Sequence, residues 1–293
     1  MSSPVLRYAV IGDPIEHSLS PQLFSLLFET CAPTTSSLYS YQAQRVPASE
    51  LSDFVQFVRK TPSALSGFSV TLPHKVAICS LLDRLATSAS IPGAVNCVER
   101  SESGLLIGHN TDAAGLLSAL QRTRWPFENT NALVLGAGGA ARAAVSTLVA
   151  LKVDKVTIAN RSMDSARALI EALRPHAEPS SVQLEAIPLA EVSQLNAREF
   201  SHLINATSVG LSAPEDDPLP QEFKLEPQHH VVDLVYRPLR TALLRRAEKA
   251  GANKLDGLWM LIEQALWQLD LWTGLKPASD VRRQAHLLLS REI

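Results

Sequence analysis

Apolar and polar positions along this chain change period repeatedly. Residues 6–11 form a mostly apolar run of the kind that builds a buried strand. Ser20-Pro21 then opens a helix to about Thr30, with Ser20 as N-cap and Pro21 at the first helical position. Residues 38–46 alternate Tyr39 and Tyr41 with polar neighbours, a strand pattern, and 51–58 return to helical spacing. Short strands are expected at 67–71 and 94–100, and a helix at 112–122. From residue 132 the alternation is regular. Strands fall at 132–135, 155–159, 182–187, 203–206 and 231–235, and helices at 140–151, 164–173 and 241–250, the last closed by Gly251. Gly257–Thr273 is an apolar helix that either finishes a second domain or crosses back to the first. Strands alternating with helices predict parallel βαβ units, hence an α/β fold. The Pro- and acid-rich stretch 212–220 reads as an exposed loop, and 125–131 as a join between domains.

Composition narrows the class. A chain of 293 residues suits two domains, and 46% apolar with 19% charged residues describes a globular protein. A net charge of −2 offers no basic face to nucleic acid or an anionic membrane, so neither partner is expected. No apolar run is long enough to span a bilayer, and residues 1–4 begin no leader of basic then apolar residues. Cys31, Cys79 and Cys97 are scattered without metal-ligand spacing. A reduced, cytoplasmic setting and no metal are the expectations.

Gly136-Ala137-Gly138-Gly139-Ala140-Ala141 fits the GxGxxG/A pattern, with a strand before it and a helix after. Gly136 permits the tight turn and Gly138 a close approach to a pyrophosphate. Ala141 lets helix and strand pack, and the helix N-terminus offers unpaired N–H groups to phosphate. The next strand ends Ala159-Asn160-Arg161-Ser162, near the offset of about 20 residues at which an acidic side chain would take a ribose 2′-hydroxyl. No carboxylate stands there. Arg161, flanked by Asn160 and Ser162, suits a 2′-phosphate, so the expected cofactor is NADP. Asp164 follows the turn and is read as the cap of the next helix.

An ordered set of further motifs runs almost end to end. It comprises Val10-Ile11-Gly12-Asp13-Pro14-Ile15 with His17-Ser18-Leu19-Ser20-Pro21, Gly67-Phe68-Ser69-Val70-Thr71-Leu72-Pro73-His74-Lys75, Gly93-Ala94-Val95-Asn96 and Gly108-His109-Asn110-Thr111-Asp112. After the glycine loop come Asn205-Ala206-Thr207-Ser208-Val209-Gly210, Asp233-Leu234-Val235-Tyr236-Arg237-Pro238 and Asp256-Gly257-Leu258 through Gln264-Ala265. With these motifs the chain resembles the shikimate dehydrogenase family. The resemblance implies a substrate-binding α/β domain of residues 1–115 and 257–293, a Rossmann-type doubly wound NADP domain of 116–256, and C-terminal helices returning to the first. It implies reversible reduction of 3-dehydroshikimate to shikimate in a cleft between the domains.

The same resemblance assigns roles. Lys75 with Asp112 is the catalytic pair, Lys75 acting as proton donor or as a group that orients the carbonyl; Asp112 is also read as an N-cap. Ser18, Ser20 and Thr71 hold the substrate carboxylate, Asn96 and Gln264 recognise hydroxyls, and Tyr236 borders the ring. Gly136, Ala137, Gly138, Gly139, Ala140, Asn160, Arg161, Ser162, Thr207 and Gly257 hold the cofactor. A small-molecule partner and a monomer or homodimer are expected. The chain departs from the family at Ser69, where Asn is usual, at Phe24-Ser25, where His-Asn is common, and at Pro92. Ser69 bears on substrate identity more than on reaction class, and the alternatives are a quinate/shikimate or aminoshikimate dehydrogenase paralogue, a non-catalytic sensor of the same ligands, or a different two-domain enzyme with a similar Rossmann half, such as a folate dehydrogenase.

Overall fold

The computed structural model describes residues 5–293, so the reading of residues 1–4 as leaderless lies outside it. Two compact units emerge, residues 5–115 with 262–292, and residues 116–261 with 293. Each is built on a six-stranded sheet.

The first sheet contains β1 (Leu6–Gly12), β2 (Tyr39–Arg45), β3 (Gly67–Val70), β4 (Arg84–Leu85), β5 (Cys97–Arg100) and β6 (Leu106–His109), in the order β2-β1-β3-β5-β6-β4. Its helices are α1 (Ser20–Cys31), α2 (Leu51–Lys60), α3 (Thr87–Ser90), the start of α4 (Thr111–Thr123), most of α8 (Gly257–Thr273) and α9 (Val281–Leu289). The alternation of side chains along a strand divides the work. Ala9, Ile11, Phe68, Val70 and Val98 pack on Phe54, Val55 and Val58 of α2, with Phe54 edge-on to Phe68 at 5.4 Å. On the other face Tyr8 stacks on Trp272 of α8 at 4.8 Å, and Phe24 of α1 on Tyr41 at 4.1 Å.

An all-parallel first sheet is not what forms. β5 runs antiparallel to both β3 and β6. Residues 101–105 close a tight turn with Gly104 at φ 86°, in which Ser101 N–H donates to Leu105 O at 2.9 Å. A connection this short makes a hairpin and has no length for a parallel crossover. The strand at β6 escaped the sequence reading because its apolar residues are few.

The second sheet is wholly parallel, β12-β11-β10-β7-β8-β9. Its strands are β7 (Asn131–Leu135), β8 (Lys155–Asn160), β9 (Gln183–Pro188), β10 (His202–Asn205), β11 (His230–Asp233) and β12 (Asn253–Asp256). The connecting helices include α5 (Gly139–Ala150), α6 (Met163–Ala177) and α7 (Ala242–Lys249). Strand order reverses between β10-β7 and β7-β8, the switch point at which such sheets bind ligands. Leu133, Leu203, Val231, Phe223, Leu243 and Leu244 form one core. Thr241 caps α7 by accepting from Leu244 N–H at 3.3 Å. The stretch 125–131 belongs inside this unit, where Trp125 stacks on His230 at 4.7 Å. The 212–220 loop is exposed over most of its length, with Leu219 turned into the core.

At the start of β10, His202 is buried between Phe127, at 4.4 Å, and His230, at 5.0 Å, and bonds Pro126 O at 2.7 Å. Burial pulls its pKa down to about 4. The unfolded chain therefore takes up a proton that the fold refuses between pH 6.5 and about 4. Stability falls across that window as pH drops, by about 3 kcal/mol from this group. Asp233, raised to about 6 by burial, works in the opposite direction. Urea unfolding of the wild type and His202→Phe from neutral to acid pH should show the difference, with the variant lacking the histidine's share of the loss. Parallel pH profiles would contradict the assignment.

Candidate active site

Adjacent parallel strands β1 and β3 deliver their loops to one end of the first sheet. Thr71 N–H donates to Ile11 O at 2.9 Å and Asp13 N–H to Leu72 O at 2.9 Å, binding the Ser18–Ser20 and Thr71–Lys75 segments to neighbouring strand ends. The Ser20 side chain does not cap α1. Leu19 holds the cap position, and Ser18 Oγ accepts from Ser20 N–H at 3.3 Å. The hydroxyl two residues upstream already reaches the first N–H, so Ser20 has no capping work. Lys75 is fixed from both sides of its turn: Val95 N–H donates to Lys75 O at 2.7 Å, and buried His74 bonds Val46 O at 2.6 Å.

Lys75 Nζ donates to Asp112 Oδ2 at 2.5 Å, with side-chain exposures of 15% and 6%. Asp112 does not cap α4, as its residue type and position had suggested. Asn110 Oδ1 accepts from Ala113 N–H at 3.2 Å and caps the helix in its place. Asp112 stands one residue inside the helix start, so its carboxylate is left for Lys75 and for Asn96 Nδ2, 2.8 Å from Oδ1. A buried ion pair is better tolerated when further hydrogen bonds reach it, and the Asn96 amide supplies one to Asp112. Asn96 also accepts Thr111 N–H at 2.7 Å and reaches Gln264 Oε1 at 3.2 Å. Lys75, Asp112, Asn96 and Gln264 therefore form one connected cluster.

Sequence reasoning did not select Thr111, Gln268 or Tyr41. Gln268 Nε2 donates to Gln264 Oε1 at 2.6 Å, Ser69 Oγ to Gln268 Oε1 at 2.6 Å, and Tyr41 OH to Ser69 Oγ at 2.6 Å. The spacing from Gln264 to Gln268, one helical turn on an apolar helix, was the available signal.

The second unit holds the glycine turn. Gly136 has φ 106°, and a Cβ there would lie 3.0 Å from Ala206 O, so only glycine closes the turn. A Cβ on Gly138 would meet nothing within 4 Å. Gly138 is the N-cap of α5 and brings no side chain. The first-turn N–H groups at Gly139 and Ala140 and the space above Gly138 thus suit a phosphate group. Ala137 is buried beneath the turn. Arg161, at the tip of β8, lines a cavity of about 590 Å³ with Pro188, Leu189, Ala190, Ser193, Pro218 and Pro220. Asn160 Nδ2 donates to Ser162 O at 2.8 Å, and Ser162, not Asp164, caps α6 by accepting from Ser165 N–H at 3.3 Å. Asp164 instead pairs loosely with Arg167 at 3.8 Å. These residues fit a 2′-phosphorylated dinucleotide: an open glycine cradle, and an arginine at the strand tip beside a cavity.

Thr207 and Gly257 also have structural work. Thr207 Oγ1 donates to Asn205 Oδ1 at 2.7 Å and accepts Val209 N–H at 3.1 Å, shaping the loop after β10. A Cβ on Gly257 would sit 2.5 Å from Leu234 O, so glycine is required where α8 begins. Tyr236 follows β11 in the second unit, whereas the serines, Thr71 and the lysine cluster belong to the first. Among the described residues no cluster of three or more metal-ligating side chains occurs, and no helix is long and apolar enough to cross a membrane.

A Rossmann-type unit, together with a separate sheet carrying a buried lysine–carboxylate pair, is the build of a two-domain, dinucleotide-dependent oxidoreductase. Comparison with known proteins agrees. Residues 10–98 match the shikimate dehydrogenase substrate binding domain, 118–210 the shikimate / quinate 5-dehydrogenase model, and 257–285 the shikimate 5′-dehydrogenase C-terminal domain. A shikimate dehydrogenase (NADP(+)) of Nitrosopumilus maritimus is 37% identical over 281 residues, 96% of this chain and 97% of that relative. The crystal structure of shikimate 5-dehydrogenase from Thermus thermophilus in complex with NADP(H) and shikimate superposes with a TM-score of 0.78 at 37% identity, covering 97% of this chain and 99% of that one. The chain belongs to the shikimate dehydrogenase family. Ligand-free 5-ketofructose reductase of Gluconobacter sp. strain CHM43 shares the fold at a TM-score of 0.77 and 30% identity, covering 98% of this chain and 100% of that one.

Proposed function

We propose that this chain interconverts shikimate and 3-dehydroshikimate with NADP, Lys75 and Asp112 forming its catalytic pair. The observation that carries this reading is the buried Lys75–Asp112 bond set within the Asn96 and Gln264 amides. The substrate domain is the first unit, residues up to 115 with 262–292, its C-terminal part starting a little later than residue 257, and the NADP domain is the second unit, 116–261. The nicotinamide, when bound, supplies the hydride chemistry. One Lys75 N–H is committed to Asp112, and the others face the ring oxygen that alternates between hydroxyl and keto. There Nζ holds the proton that the oxygen loses or regains, and its charge steadies the developing alkoxide. Asp112 keeps Nζ in place. Asn96 and Gln264 read ring hydroxyls, and Tyr236 borders the ring. Ser18, Ser20 and Thr71 take the carboxylate at the end of β1 and β3.

Gly136, Ala137, Gly138, Gly139, Ala140, Thr207 and Gly257 shape the dinucleotide seat, and Asn160, Arg161 and Ser162 surround its 2′-phosphate. A reducing, cytoplasmic setting fits three free cysteines. A monomer or a homodimer is the expected state. Product analysis tests the reaction. Purified protein with shikimate and NADP should yield 3-dehydroshikimate and NADPH one for one; unconsumed shikimate would reject the assignment. Arg161→Ala should weaken NADP by about 30-fold, the worth of a charge-assisted contact, while NAD affinity stays within about twofold. Equal loss for both dinucleotides in a titration would remove Arg161 from the 2′-phosphate.

A further inference from the structure

We propose that Arg246 is a positioning residue for the dinucleotide: it holds residues 217–220 as the proline wall of the cavity that Arg161 lines. This rests on the reading of Arg161 as the partner of a 2′-phosphate. The acid- and proline-rich stretch 212–220 thereby gains a part in cofactor binding.

A loop that carries Pro218 and Pro220 has no backbone N–H at either position with which to be tied down, so its carbonyls must find donors elsewhere. One guanidinium supplies them. Arg246 Nη1 donates to Asp217 Oδ2 at 2.9 Å and to Leu219 O at 3.0 Å. Its Nη2 donates to Pro220 O at 3.0 Å and to Phe223 O. The Asp217 carboxylate turns back to accept Leu219 N–H at 2.9 Å, and Phe223 N–H donates to Pro220 O at 3.2 Å. Acceptors from Asp217 to Phe223 thus converge on one side chain. Leu219 and Phe223 enter the core beside Leu243 and Leu244 of α7. Pro218 and Pro220, on either side of Leu219, line the cavity with Arg161. A wall already ordered spares the cofactor the cost of ordering it on binding.

Helix α7 sets Arg246 in place. Leu243, Leu244 and Ala247 form its buried stripe, and Arg246 stands beside that stripe, one turn after Leu243. Arg246 and Asp217 have side-chain exposures of 18% and 11%, so solvent screens their pair little. Arg245 donates to Glu215 at 2.6 Å, but Glu215 is 85% exposed, and a surface pair of that kind holds a loop weakly. Charge points the same way. Glu215, Asp216 and Asp217 stand in succession just before Pro218, and an unpaired carboxylate at that wall would repel a 2′-phosphate. Arg246 cancels the Asp217 charge and orders the wall through one set of contacts. A lysine would keep the charge but lacks the fork that reaches several carbonyls at once. All of these residues lie in the second unit.

The test is a calorimetric titration of the whole protein with 2′,5′-ADP, which carries the adenosine and its 2′-phosphate but no nicotinamide, alongside NADP titrations, shikimate kinetics and thermal midpoints. Arg246→Gln should weaken 2′,5′-ADP and NADP about tenfold, with KM for shikimate at saturating NADP within about twofold. Asp217→Asn/Arg246→Gln removes both charges, leaves no carboxylate without its cation, and should show the same loss even if the single variant folds poorly. Arg246→Lys should stay at least about threefold weaker than wild type. Arg245→Gln, which cuts only the exposed pair, should stay within about twofold. Affinity for 2′,5′-ADP within about twofold of wild type in the double variant would overturn the wall, as would full recovery in Arg246→Lys. An equal rise in shikimate KM would overturn it too, since the damage would then be general. A wild-type protein that does not bind 2′,5′-ADP would instead overturn the cofactor reading on which this rests.

Discussion

Lys75→Ala is expected to lower kcat by about a thousandfold, within the range of a positioned proton donor. NADP affinity should stay within about twofold, because the glycine turn and Arg161 lie in the other unit of the chain. The variant should also lose some stability. Asp112, 4% exposed, keeps its bond from Asn96 but loses its cation. Initial rates together with a cofactor titration separate the two effects. A variant that turns over normally would remove Lys75 from the chemistry. One that loses rate and NADP affinity together would mean that the damage is not confined to the proton-transfer step.

The second large effect concerns an empty space. Gly138→Val should leave the free protein nearly as stable as the wild type. Its φ of −81° is open to any residue, and nothing lies within 4 Å of the new Cβ. The cost is that of a poorer helix cap, about 1 kcal/mol. Dinucleotide affinity should nevertheless fall on the order of a hundredfold, since the added side chain fills the space through which backbone meets pyrophosphate. Gly136→Ala makes the opposite pattern: a left-handed φ and a 3.0 Å contact with Ala206 O put the damage into the fold itself. Thermal midpoints with and without NADP distinguish these two glycines. Equal affinity in Gly138→Val and wild type would show that no phosphate sits there.

How much of this could be read from the chain depended on how local each signal was. The glycine turn, the Arg161 tip and the β7-to-α6 alternation are contiguous in sequence, and the structure returns them within a few residues of where the pattern puts them. Helix caps were less legible. Ser20, Asp112 and Asp164 are all residue types that cap, yet Leu19, Asn110 and Ser162 hold the positions. In each case a neighbour one or two residues away competes for the same N–H groups, and only backbone geometry decides between them. The antiparallel turn at β5 and β6 was hidden by its shortness. The Tyr41–Ser69–Gln268 chain was hidden for a different reason: its members lie 28 and 199 residues apart and meet only when β1, β2, β3 and α8 are in register. Ser69, read from sequence only as a shortened side chain, is a junction in that network.

That junction belongs to the polar cluster of the first unit, on which the proposed choice of substrate rests. The most direct test of the central claim is the rise in near-ultraviolet absorbance of reduced nicotinamide when purified protein meets shikimate or quinate, each with NADP or NAD. A rate with shikimate and NADP at least about tenfold above every other pairing is the predicted result. A preference for quinate, or for NAD over NADP, would contradict the roles assigned to the Gln264 cluster or to Arg161.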